Sequence, residues 1–200
     1  MTDHLLTPDN VDSTRRRVAV RLLGWVGWKV RFAPLPGPRG LIIVYPHTSN
    51  WDFPIGLLAK WAIGLPLHWI GKASLFTGPV GRLFAPILRA WGGEPIERGA
   101  ASGSIERLAR RIQAAPWYWL ALAPEGTRQY RDHWRSGFYH LALTAELPIL
   151  AVSIDYATRT VFATTVLQLS GNAETDRRMV ADAYRGRHGH RRECESPISW

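Results

Sequence analysis

The sequence is poor in cysteine, with Cys194 alone among 200 residues. A single thiol excludes an intrachain disulfide, and it also excludes a zinc site built from cysteines. This cysteine content is consistent with a reducing, cytosolic environment.

Long apolar runs are missing as well. No stretch reaches the ~18 uncharged apolar residues that a bilayer-spanning helix needs. The longest candidate, residues 22–28, is bounded by Arg21 and Lys29. The first residues are polar and acidic before they become basic, so they do not resemble a signal peptide. We therefore expect a protein that lies on a membrane at most and does not cross it as a simple helix.

Basic residues and tryptophan are abundant instead. The formal net charge is +9 and there are ten tryptophans. Residues 1–40 carry seven basic and three acidic side chains, which makes this the most densely positive region. Such a bias favours an anionic partner: a phospholipid surface, a nucleic acid or a phosphorylated substrate.

Residues 14–32 have the pattern of an amphipathic helix. Arg17, Arg21 and Arg31 recur on a narrow face, and apolar side chains that include two tryptophans fill the rest. This composition is typical of an interfacial helix, but it fits a helix packed on its own domain equally well. Residues 33–40 form a Pro/Gly-rich connector. We therefore divide the chain into 1–40, an N-terminal amphipathic, membrane-associating segment with its linker, and 41–200, the main domain.

From residue 40 onward, apolar runs alternate with helical periodicity. The pattern predicts strands within 40–47, 67–72, 92–98, 117–124, 148–156 and 160–169, and helices over 52–63, 79–91, 104–115, 137–146 and 173–185. Ser104 is expected to cap its helix. This alternation predicts an α/β fold with a mostly parallel or mixed sheet flanked by helices.

The segment "YPHTSNWDFP" follows the first of these strands and contains His47 and Asp52. Positions five apart diverge by about 140° on a helix, so the two residues cannot share a helical face. The spacing predicts His47 on a loop and Asp52 in the first helical turn, with Ser49 or Asn50 as the cap. Asp52 could then hold one imidazole nitrogen and leave the other as a general base. A surface or capping pair is the competing interpretation.

A second candidate is "APEGTR", where an apolar strand ends in a turn. Gly126 permits a tight turn that exposes backbone N–H groups, while Thr127 and Arg128 add a hydroxyl and a guanidinium. Such a turn suits an oxyanion or phosphate, although a capped loop with a Glu125–Arg128 ion pair is also compatible. Arg98, after "GGEPIE", is uninformative by itself.

Taken in order, "HTSNWD", "GGEPIER", "APEGTR" and "ELPILAVSI" resemble the four motif blocks of the glycerolipid acyltransferases. That family is typified by the 1-acylglycerol-3-phosphate acyltransferases and has a glycerol-3-phosphate acyltransferase-like fold. The resemblance covers roughly residues 40–170. The chain departs from it at Glu97, where aspartate is frequent, and it lacks the long hydrophobic N-terminal segments of many relatives.

The resemblance implies a reaction and a set of site residues. His47, oriented by Asp52, would take a proton from an acceptor hydroxyl that attacks the thioester of acyl-CoA or acyl carrier protein. Arg98 and Arg128 would hold the phosphate of a lysophosphatidate-like acceptor, and Glu125 would orient an arginine or the acceptor hydroxyl. Further substrate-binding candidates are Ser49, Lys72, Gly126 and Thr127. Neither a metal nor a cofactor is expected besides the acyl donor.

The resemblance also implies partners and a location. A lipid acceptor places the protein peripherally at the cytoplasmic side of the inner membrane. Three alternatives remain open from the residues: another acceptor, such as a lyso-ornithine lipid or a non-phosphorylated hydroxyl; a hydrolase; and a basic, non-catalytic membrane- or nucleic-acid-binding protein. The sequence contains no DNA- or RNA-binding motif, so nucleic acid is not expected as a partner.

Overall fold

A seven-stranded sheet forms the centre of the molecule, whose computed structural model describes residues 13–96 and 103–200. Its strands are β1 (Lys29–Phe32), β2 (Arg39–Val44), β3 (Leu67–Lys72), β4 (Gly93–Ile96), β5 (Tyr118–Leu122), β6 (Ile149–Asp155) and β7 (Thr160–Leu167). Their spatial order is β1-β7-β6-β2-β5-β3-β4. Neighbouring strands run parallel except β6 and β7, which are antiparallel.

Helices cover both faces of this sheet. They are α1 (Thr14–Trp25), α2 (Asp52–Ile63), α3 (Gly78–Ala90), α4 (Ser104–Ala114), α5 (Gly137–Thr144) and α6 (Ala173–Ala183). Leu41 and Ile43 of β2 join a core with α4, α5 and α6, while Ile42 joins a second core with α1 and α2. Because β2 is buried on both faces, it is apolar at consecutive positions. The predicted α/β fold with a mixed sheet between helices is confirmed.

The N-terminal prediction of one helix over residues 14–32 is wrong after Trp25. Gly27 has φ 76°. The N–H of Trp28 donates to the carbonyl of Leu23 at 2.8 Å, and the N–H of Gly27 donates to the carbonyl of Gly24 at 3.0 Å. These two bonds form a Schellman motif, which ends a helix at a left-handed glycine. The following residues form β1, an edge strand parallel to β7.

Helix α1 is partly packed on the domain and partly exposed. Ala19 and Leu23 are buried in the core shared with α2. Its other side exposes Val18, Leu22 and Trp25, the last at 87 %. No helix within the described residues is both long enough and apolar enough to span a membrane. The division of the chain at residue 40 stays a prediction.

The prediction that Ser104 caps α4 is wrong. The residue at the N-cap position is Gly103, with φ 83°, and it makes no side-chain cap bond. Glycine reaches this left-handed conformation without steric cost, so Ser104 is the first residue of the helix and not its cap.

Candidate active site

Two of the predicted motifs lie together where parallel strands end. The histidine loop (residues 45–51) follows β2, and the PEGTR loop (residues 123–128) follows the neighbouring strand β5. Ligand sites of open α/β sheets lie beyond the carboxyl ends of the strands. His47 lies on its loop and Asp52 is the first residue of α2, as the five-residue spacing predicts.

His47 and Asp52 are in direct contact. The imidazole Nδ1 lies 3.0 Å from Asp52 Oδ2, and the side chains are 21 % and 2 % exposed, respectively. With Nδ1 engaged, Nε2 is the nitrogen left for a ligand, and His47 lines the adjoining cavity. A carboxylate on one imidazole nitrogen is the arrangement that orients a histidine base.

Both oxygens of Asp52 have further partners. The backbone N–H of Ser49 donates to Oδ2 at 2.9 Å, and the hydroxyl of Tyr156 donates to Oδ1 at 2.8 Å. Burial, together with the nearby Asp52 carboxylate, raises the pKa of Tyr156, so this hydroxyl keeps its proton and remains a donor. Tyr156 is not among the site residues predicted from the sequence, where its only signal is its position directly after β6.

Ser49 and Asn50 do not cap α2, contrary to the prediction. The N-cap position is occupied by Trp51 in a helical conformation, and no side-chain cap bond is present. Ser49 Oγ instead accepts the N–H of Trp51 at 3.2 Å, inside the histidine loop. Ser49 therefore stabilises the turn before α2 through two hydrogen bonds, one from its backbone N–H to Asp52 and one from the N–H of Trp51 to its hydroxyl.

Glu125 is buried beneath the histidine loop, at 2 % exposure. Its Oε2 accepts the backbone N–H of His47 at 2.7 Å, and its Oε1 accepts that of Ser196 at 3.3 Å. Burial raises the pKa of this carboxyl to about 7, against the opposing effect of the two N–H donors. Both of these hydrogen bonds come from backbone N–H groups, one in each of two loops. The orientation of an arginine or of the acceptor hydroxyl by Glu125 stays a prediction.

The PEGTR loop makes the tight turn that the sequence predicts. Gly126 has φ 65°, and a Cβ there would lie 2.9 Å from Arg135 Nε. Thr127 Oγ1 accepts the N–H of Gln129 at 3.3 Å. Arg128 Nε is buried and has no hydrogen-bond partner in the described part of the chain. A buried guanidinium N–H without an acceptor is suited to an anionic ligand.

A cavity of about 1590 Å³ adjoins these loops. His47, Asp52, Lys72, Gly126, Thr127 and Arg128 line it, while the buried residues Ser49 and Glu125 do not. Its basic side chains are Lys60, Lys72, Arg128, Arg135 and Arg191, and among the residues described Asp52 is its only carboxylate. The lining charge therefore favours an anion.

Part of the cavity is apolar, between α2 and the sheet. Leu57 and Ile63 of α2 line it together with Leu150, Val152 and Ile154 of β6. Ile63 and the three β6 residues also belong to the core that α2 shares with α1. These five side chains carry no hydrogen-bonding groups. A ligand that fills both parts would combine a charged group with a hydrocarbon group.

Two further expectations concern residues around this site. Arg98 and Glu97 lie outside the described residues. Within the described ranges, no three His, Cys, Asp or Glu side chains are grouped closely enough to hold a metal ion.

Comparison with known proteins identifies the family. The model of the family described as Acyltransferase matches residues 28–155, more than half of the chain. Among solved structures, the chain is similar to the crystal structure of the 1-acyl-sn-glycerophosphate (LPA) acyltransferase PlsC from Thermotoga maritima. The TM-score is 0.55 at 18 % identity, covering 86 % of this chain and 76 % of that one. At this identity the likeness concerns the fold.

No curated protein sequence matches this chain. The family match covers the histidine loop, the PEGTR loop and the strand β6 that leads to Tyr156. The chain therefore belongs to the acyltransferase family, as the order of its four motifs predicts.

Proposed function

We propose that this acyltransferase moves a fatty acyl group from acyl-CoA or acyl carrier protein to a hydroxyl of a lysophosphatidate-like acceptor. The observation that carries the proposal is the 3.0 Å contact between His47 Nδ1 and Asp52 Oδ2 at a cavity with predominantly basic charges. The contact supplies an oriented base, and the basic lining suits a phosphorylated substrate.

His47 is the general base in this proposal. Its Nε2 takes the proton of the acceptor hydroxyl while the acceptor oxygen forms a bond to the thioester carbonyl carbon. The carbon–sulfur bond of the resulting tetrahedral intermediate then breaks, and the imidazolium returns the proton to the leaving thiolate. Asp52 stabilises the imidazolium through Nδ1 and, held by Ser49 and Tyr156, fixes the ring orientation.

Arg128 is proposed to bind the acceptor phosphate. Its buried Nε needs an acceptor, and a guanidinium matches the geometry of a phosphate. Lys72 and the Thr127 hydroxyl line the same cavity and can contribute further donors. Arg98 retains the phosphate-binding role that the resemblance implies. The positive lining favours a phosphorylated acceptor over a lyso-ornithine lipid or a non-phosphorylated hydroxyl.

The apolar part of the cavity is proposed to hold a hydrocarbon chain. Leu57, Leu150 and Ile154 offer only apolar contacts there. Burial of hydrocarbon contributes about 0.8 kcal/mol per CH₂, so a fatty acyl chain gains binding free energy along this wall. A carboxylate or phosphate would lose its hydration in the same place, which directs the charged group to the arginines.

Contact with an anionic membrane is proposed from two exposed apolar faces. Helix α1 exposes Val18, Leu22 and Trp25, and α3 exposes Leu83 at 71 %, Phe84 at 50 % and Ile87 at 45 %, among arginines on both helices. Apolar side chains flanked by arginine are typical of helices that lie in a lipid interface. We place the protein peripherally at the cytoplasmic side of the inner membrane.

The central test is transfer by His47 variants. We expect His47→Ala to lower acyl transfer by roughly 10²–10⁴-fold, because that is the usual contribution of a general base. Purified protein is incubated with radiolabelled acyl-CoA or acyl carrier protein and a panel of lysophospholipids, lyso-ornithine lipid and water alone, and the products are identified by mass. His140→Gln, on the exposed side of α5, is the matched control. Transfer retained by folded His47→Ala would refute the base assignment.

The acceptor phosphate is tested through Arg128. We expect Arg128→Gln to raise the KM for lysophosphatidate by ~10-fold or more, since a charge-assisted hydrogen bond contributes about 1.5–3 kcal/mol. The KM for the acyl donor should change much less. Initial rates with each substrate varied in turn measure the two constants, and an equal rise in both would contradict the assignment.

A further inference from the structure

The C-terminal clasp, residues 186–200, contacts both loops of the site. The N–H of Arg191 donates to Thr48 Oγ1 at 3.1 Å, and its Nε donates to the Thr48 carbonyl at 2.9 Å. Its Nη2 donates to the carbonyl of Arg128 at 3.2 Å. Thr48 belongs to the histidine loop and Arg128 to the PEGTR loop. One guanidinium therefore joins the two loops.

The clasp also approaches the histidine loop with its backbone. A Cβ on Gly189 would lie 2.5 Å from Thr48 Oγ1 and 3.2 Å from the Cβ of Pro46. Only glycine fits so close to the loop. Thr48 itself is fully buried by this contact and its surroundings.

Ser196 provides a second attachment of the clasp. Its N–H donates to Glu125 Oε1 at 3.3 Å, its carbonyl accepts the Tyr45 hydroxyl at 2.8 Å, and its Oγ accepts the N–H of Arg131 at 3.1 Å. Tyr45 precedes the histidine within its loop, and Glu125 lies in the PEGTR loop. The clasp thus holds both loops at two places, although it lies beyond residues 28–155 that match the family model.

The joined loops carry the two groups that must act on one substrate. Thr48 directly follows His47, and Arg128 ends the other loop. A base and an anion-binding group must keep a fixed separation, because a displacement of about 1 Å can reduce a rate by ~100-fold. Backbone carbonyls accept the Arg191 Nε and Nη2 donors, so the guanidinium is engaged with protein on both sides.

We propose that Arg191 is a positioning residue for acyl transfer. It fixes the separation of His47 and Arg128 by donating to one carbonyl of each loop. The proposal rests on the proposed function, which assigns the base and the phosphate-binding arginine. The planar guanidinium spans two acceptors at fixed angles, and a lysine ammonium cannot replace that geometry.

The first measurement is hydrogen–deuterium exchange of the unliganded full chain. The variants are Arg191→Met and the milder Arg191→Lys, and the control is Arg192→Met at the exposed neighbouring position. We expect peptides covering both loops to exchange at least ~5-fold faster in the two Arg191 variants, because each loop loses a hydrogen bond, and to be unchanged in the control. This measurement does not depend on any activity.

The second measurement is steady-state acyl transfer. We expect kcat at saturating donor and acceptor to fall ~10–100-fold in both Arg191 variants, with each KM within ~3-fold of the unsubstituted protein. A merely structural role would lower the active fraction, so kcat is referred to the folded fraction measured by near-UV circular dichroism. Arg192→Met should retain both constants.

Three results would overturn the proposal. One is unchanged exchange in the loops of both Arg191 variants. Another is an Arg191→Met variant with a raised KM for the acceptor and an unchanged kcat. The third is an Arg191→Lys variant that retains full acyl transfer. Both of these results would indicate a positive charge that binds the substrate directly. If the unsubstituted protein transfers no acyl group to any acceptor, the proposed function fails, whereas loop exchange still decides whether Arg191 couples the loops.

Discussion

At the scale of single residues, Glu125 is buried and its carboxyl lies against the backbone of the histidine loop. Its pKa is raised from 4.5 to about 7. The fold therefore favours the protonated carboxyl, and between these two values the folded chain binds more protons here than the unfolded chain. Stability from this group is fully present below pH 4.5 and is lost as the pH rises through about 7.

Glu125→Gln should remove this pH dependence. The shift from 4.5 to about 7 corresponds to roughly 3 kcal/mol, so the variant should gain up to that amount relative to the original protein between pH 4.5 and pH 7.5. Urea unfolding at both pH values gives the two differences in free energy. If the difference in free energy of unfolding between Glu125→Gln and the original protein were the same at both pH values, burial would not raise the pKa of Glu125 as expected.

The sequence predicts part of the site at this scale. His47 and Asp52 follow from their spacing, because only a loop before a helix lets residues five apart meet. Tyr156 and Arg191 could not be predicted, since they reach Asp52 and Thr48 from 104 and 143 residues away. Their placement depends on how β6 and the clasp lie beside β2, which no local pattern encodes.

At the scale of elements, the boundary between α1 and β1 shows the limit of periodicity. Val30 and Phe32 continue the apolar pattern of α1, so the sequence predicts one helix through residue 32. Gly27 separates the two elements because its φ of 76° closes the Schellman motif. The remaining strands and helices follow their apolar runs closely, whereas the antiparallel direction of β7 depends on tertiary packing.

Substitution of two glycines tests that boundary. Gly27→Ala should destabilise the fold by about 1–2 kcal/mol, because alanine is strained in the left-handed region and its Cβ would lie 3.3 Å from Arg159 Nη1. Gly24→Ala is the control within α1, where nothing lies within 4 Å of the added Cβ, and it should stabilise by about 0.5–1 kcal/mol. Thermal unfolding of both variants provides the comparison. Equal effects of the same sign would contradict this account of the helix end.

At the scale of the whole molecule, the exposed apolar faces of α1 and α3 are the surfaces that we propose to contact a membrane. Deletion of residues 1–32 would not test this contact cleanly, because it removes β1 from the sheet and uncovers the core beneath α1. Substitution of exposed side chains leaves β1 in the sheet and the core beneath α1 covered.

Leu83→Ser combined with Phe84→Ser should weaken binding to phosphatidylglycerol-containing vesicles by ~10-fold or more, since two exposed apolar side chains lose their transfer into lipid. Trp25→Ser should act in the same direction. Val166→Ser, at an exposed apolar position of β7, is the matched control.

Co-sedimentation at about 0.1 M and 1 M salt should also show weaker binding at high salt, because screening reduces the attraction of arginine to anionic lipid. Undiminished sedimentation of the α3 variant would exclude α3 from the contact.

The clasp has a consequence for how the protein acquires activity after unfolding. Its bonds to Thr48 and Tyr45 join residues 143 and 151 positions apart in the chain. Contacts of such high sequence separation carry the largest loop-closure entropy, so they form late relative to local helical contacts. On refolding, far-ultraviolet circular dichroism should therefore recover before acyl transfer does, and the interval between them would measure the time needed to close the site.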